Sequence, residues 1–136
     1  MADALTSQVI EDGARNAVLK FTNVSDGTGQ SLATLVDVST LSSDPITGQA
    51  CNGVVLQSII YSCVGMGVEL FYDATTNMPL LNLLQDFSDQ LDFGPTGIPN
   101  NAGSGKTGDI LVTTSGASNN DTYFLMLTLT KTYASV

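Results

Sequence analysis

The sequence predicts an all-β protein: an antiparallel β-sandwich or a small jelly-roll-like barrel of about seven to eight strands, with at most one short helix. Three observations predict it. Apolar residues recur at alternate positions over short runs, which is the period of a half-buried strand. Clusters of Gly, Pro, Asn, Asp and Ser separate the runs, and these residues form turns. No segment carries a helix-period stripe of convincing length. At 136 residues the chain fits one domain. That domain is expected to span 11–136, with residues 1–10 read as an N-terminal arm.

The elements follow in order. "RNAVLKFTNV" (15–24) puts Ala17, Leu19 and Phe21 on one face and Lys20 and Thr22 on the other. "SDGTG" (25–29) is a turn, because glycine supplies left-handed backbone cheaply. "LATLVDVST" (32–40) reads as a strand with Leu32, Val36 and Val38 on one face, followed by a loop to residue 52 broken by Pro45 and Gly48. "VVLQSIIYSC" (54–63) and "GVELFYD" (67–73) are two buried strands joined at "CVGMG". This apolar stretch is not a membrane span, since Glu69, Gly65 and Gly67 interrupt it. "LLNLLQDFSDQLDF" (80–93) is ambiguous. Leu80, Leu83, Leu84, Phe87 and Leu91 fit a helix stripe and Leu81 does not, so a strand followed by a short helical turn fits equally. Residues 94–108 form a Gly/Pro/Asn-rich loop. "DILVTT" (109–114) and "TYFLMLTLTKTY" (122–133) are strands separated by "SGASNND". The last strand alternates Tyr123, Leu125, Leu127 and Leu129 against Phe124, Met126, Thr128 and Thr130. It is apolar on both faces in its first half, as in a central strand or one covered by a neighbouring subunit.

Composition narrows the function. Charged residues make up 12% of the chain against about 25% in an ordinary domain, so Ser, Thr, Asn and Gly must cover the surface. The net charge is −9, with Arg15, Lys20, Lys106 and Lys131 as the four basic residues. That balance argues against binding nucleic acid, which needs clustered cations, and against anionic membranes. Histidine is missing from the sequence, and with it the commonest general base and zinc ligand. Cys51 and Cys63 have no C-x-x-C spacing, and "MADALTSQVI" has no secretory character, so both are expected as reduced, buried thiols.

Each chemical motif is incomplete. Gly105-Lys106-Thr107 ends like a phosphate-binding loop, but Asn100 stands where the first glycine belongs, and a strand-like run follows where a helix is required. Asp86, Asp89 and Asp92 would gather on one side of a helix, where they would suit calcium. The Asp-x-Asp-x-Asp-Gly loop is missing, so a solvated face is the expectation. No serine sits in a G-x-S-x-G elbow, and no cysteine has a histidine partner. Asn23-Val24-Ser25 and Asn120-Asp121-Thr122 match glycosylation sequons and are read as turn residues. No catalytic residue, metal site or cofactor is expected.

Four stretches carry a resemblance: "EDGARNAVLKFTNVSDGTG" (11–29), "VDVSTL" (36–41), "GVELFYDATTNMPL" (67–80) and "GIPNNAGSGKTGDILVTTSGASNNDTYFLMLTLTKTY" (97–133). Together the chain resembles small β-rich virion structural proteins of tailed bacteriophages, of the capsid decoration or cement type. The resemblance implies a non-enzymatic protein on the outer capsid surface, assembled in the host cytoplasm. Its implied partners are the major capsid protein and other copies of itself, in a trimer, with no direct contact to nucleic acid or membrane. A tail or head–tail connector component is the rival within the class. A soluble glycan-binding module is the rival outside it, though the chain lacks the Trp such sites favour. Two segments are expected as interfaces: the arm, through Ala2, Leu5, Val9 and Ile10, and the 94–108 loop, through Ile98, Pro99, Asn100 and Lys106. Lys106 is expected to form an ion pair across such an interface.

Overall fold

The computed structural model describes residues 4–27, 29–94, 96–98, 100 and 103–133. Among these residues nine strands form two open antiparallel sheets that pack face to face and do not close into a barrel. The strands are β1 (Ala4–Asp12), β2 (Asn16–Asp26), β3 (Ala33–Val36), β4 (Cys51–Val64), β5 (Gly67–Tyr72), β6 (Met78–Leu83), β7 (Phe87–Asp92), β8 (Ile110–Ser115) and β9 (Asn119–Tyr133). The five-stranded sheet runs β1-β2-β9-β4-β7 and the four-stranded sheet β3-β8-β5-β6.

Alternation builds the core. Ala17, Leu19 and Phe21 of β2, Leu125, Leu127 and Leu129 of β9, and Leu56, Ile59 and Tyr61 of β4 point inward from the larger sheet. Val68, Leu70 and Tyr72 of β5 meet them with Ile110 and Val112 of β8. Burying one such side chain is worth about 1.5–3 kcal/mol, so the meeting of two alternating faces drives the fold. At "CVGMG" the chain crosses from one sheet to the other: Gly65 takes φ 83° and Met66 is buried.

Three expectations are corrected. The run 32–40 is not one strand: Leu32 has φ 50° and is exposed, β3 spans only Ala33–Val36, and Val38–Thr40 is a 3-10 turn. Asp37 caps that turn by accepting the Ser39 N–H at 3.0 Å, which offers the backbone an alternative to the ladder. The run 80–93 holds neither a helix nor a helical turn. It is β6 and β7, reversed at Asp86 with φ 57°. Leu80 and Leu83 are buried while Leu84 and Phe87 are exposed, so the helix-like stripe never forms a face. The strand count exceeds the expected seven to eight because β1 and β7 line the two edges of the larger sheet.

Candidate interaction surfaces

The segment read as an arm is laid along β2 from Ala4 onward as the edge strand β1. The register runs from Ala4 opposite Val24 to Asp12 opposite Ala17, with one irregularity between Val9 and Glu11 that leaves Ile10 as the extra residue. Leu5 is half-buried against the core, while Val9 is 60% and Ile10 49% exposed. Ala2 lies outside the described residues.

Lys131 fixes the far end of β1. It continues the inward series of β9, and its side chain is fully enclosed. Its ammonium donates to Asp12 Oδ1 at 2.6 Å, Ser42 O at 2.8 Å, Gly13 O at 2.9 Å and Ser42 Oγ at 2.9 Å. It also lies 5.5 Å from the centre of the Tyr133 ring, whose hydroxyl donates to Ala14 O. Burial alone would lower the Lys131 pKa; the Asp12 carboxylate and Tyr133 override it and raise the value. Burial likewise pushes Asp12 up, but the Lys131 hydrogen bond and the Ser42 N–H and hydroxyl prevail and hold it below 3.8. Among the described residues Lys131 thus forms an ion pair within the chain, with Asp12, while Lys106 is exposed.

The 94–108 loop is pinned to the body at both ends. Ile98 bridges Leu56 through its N–H at 2.9 Å to Leu56 O, and its side chain packs half-buried against the core. The buried Tyr72 hydroxyl donates to Ile98 O at 2.6 Å and accepts the Leu56 N–H at 3.2 Å. Further on, Thr75 N–H donates to Ser104 O at 3.0 Å, and the Thr107 hydroxyl donates to Asp73 Oδ2 at 2.8 Å. Gly108, at φ 89°, lies so close to β4 that any Cβ would collide with the Asn52 carbonyl oxygen. It leads into β8, so no helix N-terminus follows the Gly105-Lys106-Thr107 sequence. Asn100 and Lys106 line a cavity of about 390 Å³ with Asn52, Thr132 and Tyr133. Pro99 lies outside the described residues. The arm and loop residues are therefore not brought together: β1 lies at one edge of the larger sheet, and the loop crosses β4 and the β5–β6 turn.

A third surface emerges only from the register. The outer face of the larger sheet presents Val18, Lys20, Thr22 and Val24 from β2, Phe124, Met126 and Thr128 from β9, and Ile60, Ser62 and Val64 from β4. Lys20 is the one charged residue in this set, while Glu11 and Asp92 stand on the flanking strands. The two apolar faces of "TYFLML" hinted at it; the matching Ile60 and Val18 rows could not be aligned without the pairing.

The remaining candidates separate. Asp89 and Asp92 lie on β7, three residues apart and hence on opposite faces, and Asp86 accepts the Gly65 N–H at 2.7 Å. Among the described residues no three metal-ligating side chains gather. Cys51 and Cys63 are free and buried at opposite ends of β4, about 40 Å apart by strand rise. Asn23 is not a turn residue but a buried position of β2, which closes that sequon to modification; Asn120 is the second residue of β9, at φ 74°. In comparisons with known proteins, no family model and no curated protein matches the sequence.

Proposed function

We propose that the protein is a non-enzymatic structural component of a tailed-phage virion, a capsid decoration protein that lies across neighbouring major capsid subunits and clamps them. The observation that carries this reading is the outer face of the five-stranded sheet. Strands about 4.8 Å apart and roughly 30 Å long give a face of roughly 700 Å². That is close to the ~800 Å² each partner contributes to a stable interface. The ten outward residues named above on its three central strands include Lys20 as their one charge, in a chain of net charge −9. Depletion of charge at the centre with acids on the rim is the pattern of a standing protein contact. The rim acids Glu11 and Asp92 match a capsid surface with basic patches. Clamping then comes from burying this area once per copy over many copies.

The test is to add the purified protein to expanded capsids stripped of accessory proteins and to map the bound particles by cryo-microscopy. Binding at quasi-equivalent sites over the whole shell is expected, with Met126→Asp abolishing it while the melting curve is retained. Occupancy confined to a single vertex, with about six or twelve copies, would assign the connector role instead. Absence of binding to shell and vertex alike would refute the reading.

A further inference from the structure

We propose that β1 is a self-pairing edge: it joins antiparallel to β1 of a second copy about a twofold axis at Ser7, merging two five-stranded sheets into one.

The four sheet edges differ in how they are protected. An exposed edge invites pairing, and proteins blunt it by shortness, proline or charge. β3 is four residues long, β6 carries Pro79, and β7 carries Asp89 and Asp92 after the Asp86 turn. β1 is nine residues long and has no proline, and its one bulge, at Ile10, and its two acids, Glu11 and Asp12, are confined to one end, which leaves residues 4–9 unguarded. Thr6, Ser7, Gln8, Val9 and Ile10 are all exposed.

The side chains of β1 are ordered as a palindrome about Ser7. With Ser7 opposite Ser7 of the second copy, Leu5 meets Val9 and Thr6 meets Gln8, each pair twice. An even offset keeps partners on one face. Leu5 and Val9 lie on the sandwich side, opposite Asn23 and Leu19, while Thr6 and Gln8 lie on the outer side, opposite Thr22 and Lys20. Apolar pairs therefore form where Val9 is now uncovered, and polar pairs form where the sheet faces water. Charge disfavours the parallel alternative, which would set Glu11 beside Glu11 and Asp12 beside Asp12; in the antiparallel register both acids fall outside the paired stretch 4–10, and only beyond its ends does the sequence set Glu11 against Asp3. Because each copy carries −9, added salt strengthens the association by screening the general repulsion.

The inference does not rest on the capsid reading and is tested on the free protein. Sedimentation velocity over a concentration series should show a monomer–dimer equilibrium that shifts toward dimer in high salt. Ser7→Lys places two ammonium groups at the axis and should leave a monomer, although it lowers the net negative charge. Register is read by crosslinking. Paired Cα atoms lie about 4.5–5.5 Å apart, within disulfide reach, whereas two copies of residue 6 or of residue 8 lie about 8 Å apart. Under mild oxidation Ser7→Cys should form a disulfide dimer at least about tenfold faster than Thr6→Cys or Gln8→Cys. Cys51 and Cys63 are buried and do not compete. These positions are exposed, and a melting curve for each variant confirms that it folds. A monomer at every concentration, a trimer, or equal crosslinking at the three positions would overturn the proposal.

Discussion

Replacing Lys131 with Met tests the ion pair at the base of the sandwich. Met keeps the length and apolar stem of the side chain and removes the ammonium. The carbonyls of Gly13 and Ser42 lose their donor, and Asp12 loses its counter-charge. Breaking a fully buried pair costs about 3–5 kcal/mol. Here Asp12 is 20% exposed and keeps the Ser42 N–H at 2.8 Å and hydroxyl at 3.0 Å, so the lower end applies. The expected loss is about 3 kcal/mol, or roughly 10 °C in Tm for a chain of this size. Urea unfolding measures it as a shift in midpoint at unchanged m-value. A loss below about 1 kcal/mol would refute the reasoning, because it is what an exposed pair gives.

The pH dependence has a definite sign. Asp12 is held below its ordinary 3.8, so its contribution is complete above that value and is lost as pH falls through the folded pKa. Lys131 is held above 10.5, so its contribution is complete below that value and is lost as pH rises through the folded pKa. The difference between wild type and Lys131→Met is therefore full between these limits and shrinks outside them. In a double-mutant cycle with Asp12→Asn the two losses should not add.

Tyr72→Phe removes the hydroxyl that joins Ile98 O to Leu56 N–H; a cost of about 2 kcal/mol and faster proteolysis within 94–108 are expected, and an unchanged cleavage rate would show that the loop is held by other means. Gly108→Ala should cost more than about 3 kcal/mol, since both a left-handed φ and a collision with β4 oppose it, while Gly48→Ala, at φ 76° in open space, should cost about 1 kcal/mol; equal losses on denaturant titration would remove the collision from the account. Burial, with Asp37 and Asp73 nearby, raises the Asp109 pKa despite the Val38 N–H. The charged form is thus disfavoured in the fold, so Asp109→Asn should raise Tm at neutral pH, and the gain should vanish below pH 3.8; a lower Tm at pH 7 would contradict it. Burial pushes the Cys63 thiol up to about 11, so at pH 8 it should react with a thiol reagent only as fast as the protein unfolds.

Much of the fold was legible because burial and sequence share one period. The inward series of β2, β5 and β9 are simple alternations, and their strands were found within a few residues. β7 was not legible: only Leu91 is even half-buried along its length, so no hydrophobic signal marks it, and β4 supplies the register that makes it a strand. β1 was hidden for the same reason, since an edge strand with exposed side chains reads like a loose terminus. Lys131 was legible in phase but not in kind. It stands two residues beyond Leu129 and so had to point inward, yet a lysine there reads as the end of a strand. Its partners Asp12 and Ser42 are distant in sequence and are supplied by the end of β1 and by a loop, neither of which sequence periodicity places.

The two proposed surfaces belong to one sheet, and this links them. A twofold axis at Ser7 between antiparallel strands stands perpendicular to the sheet, so the outer faces of both copies point the same way. The row Lys20–Met126–Ile60 then continues through Gln8 and Thr6 of the second copy into that copy's row Thr22–Phe124–Ser62, and the reverse. Two faces of roughly 700 Å² become one of roughly 1,400 Å². A dimer on a capsid would grip two places at once, and its second contact would form at the high effective concentration set by a rigid sheet. The clamp of Lys131 on Asp12 serves that geometry, because it holds the end of β1 in the register from which the partner strand is built. Each surface can still fail alone: a dimer that ignores capsids would leave the edge intact, and a capsid-binding monomer would leave the face intact.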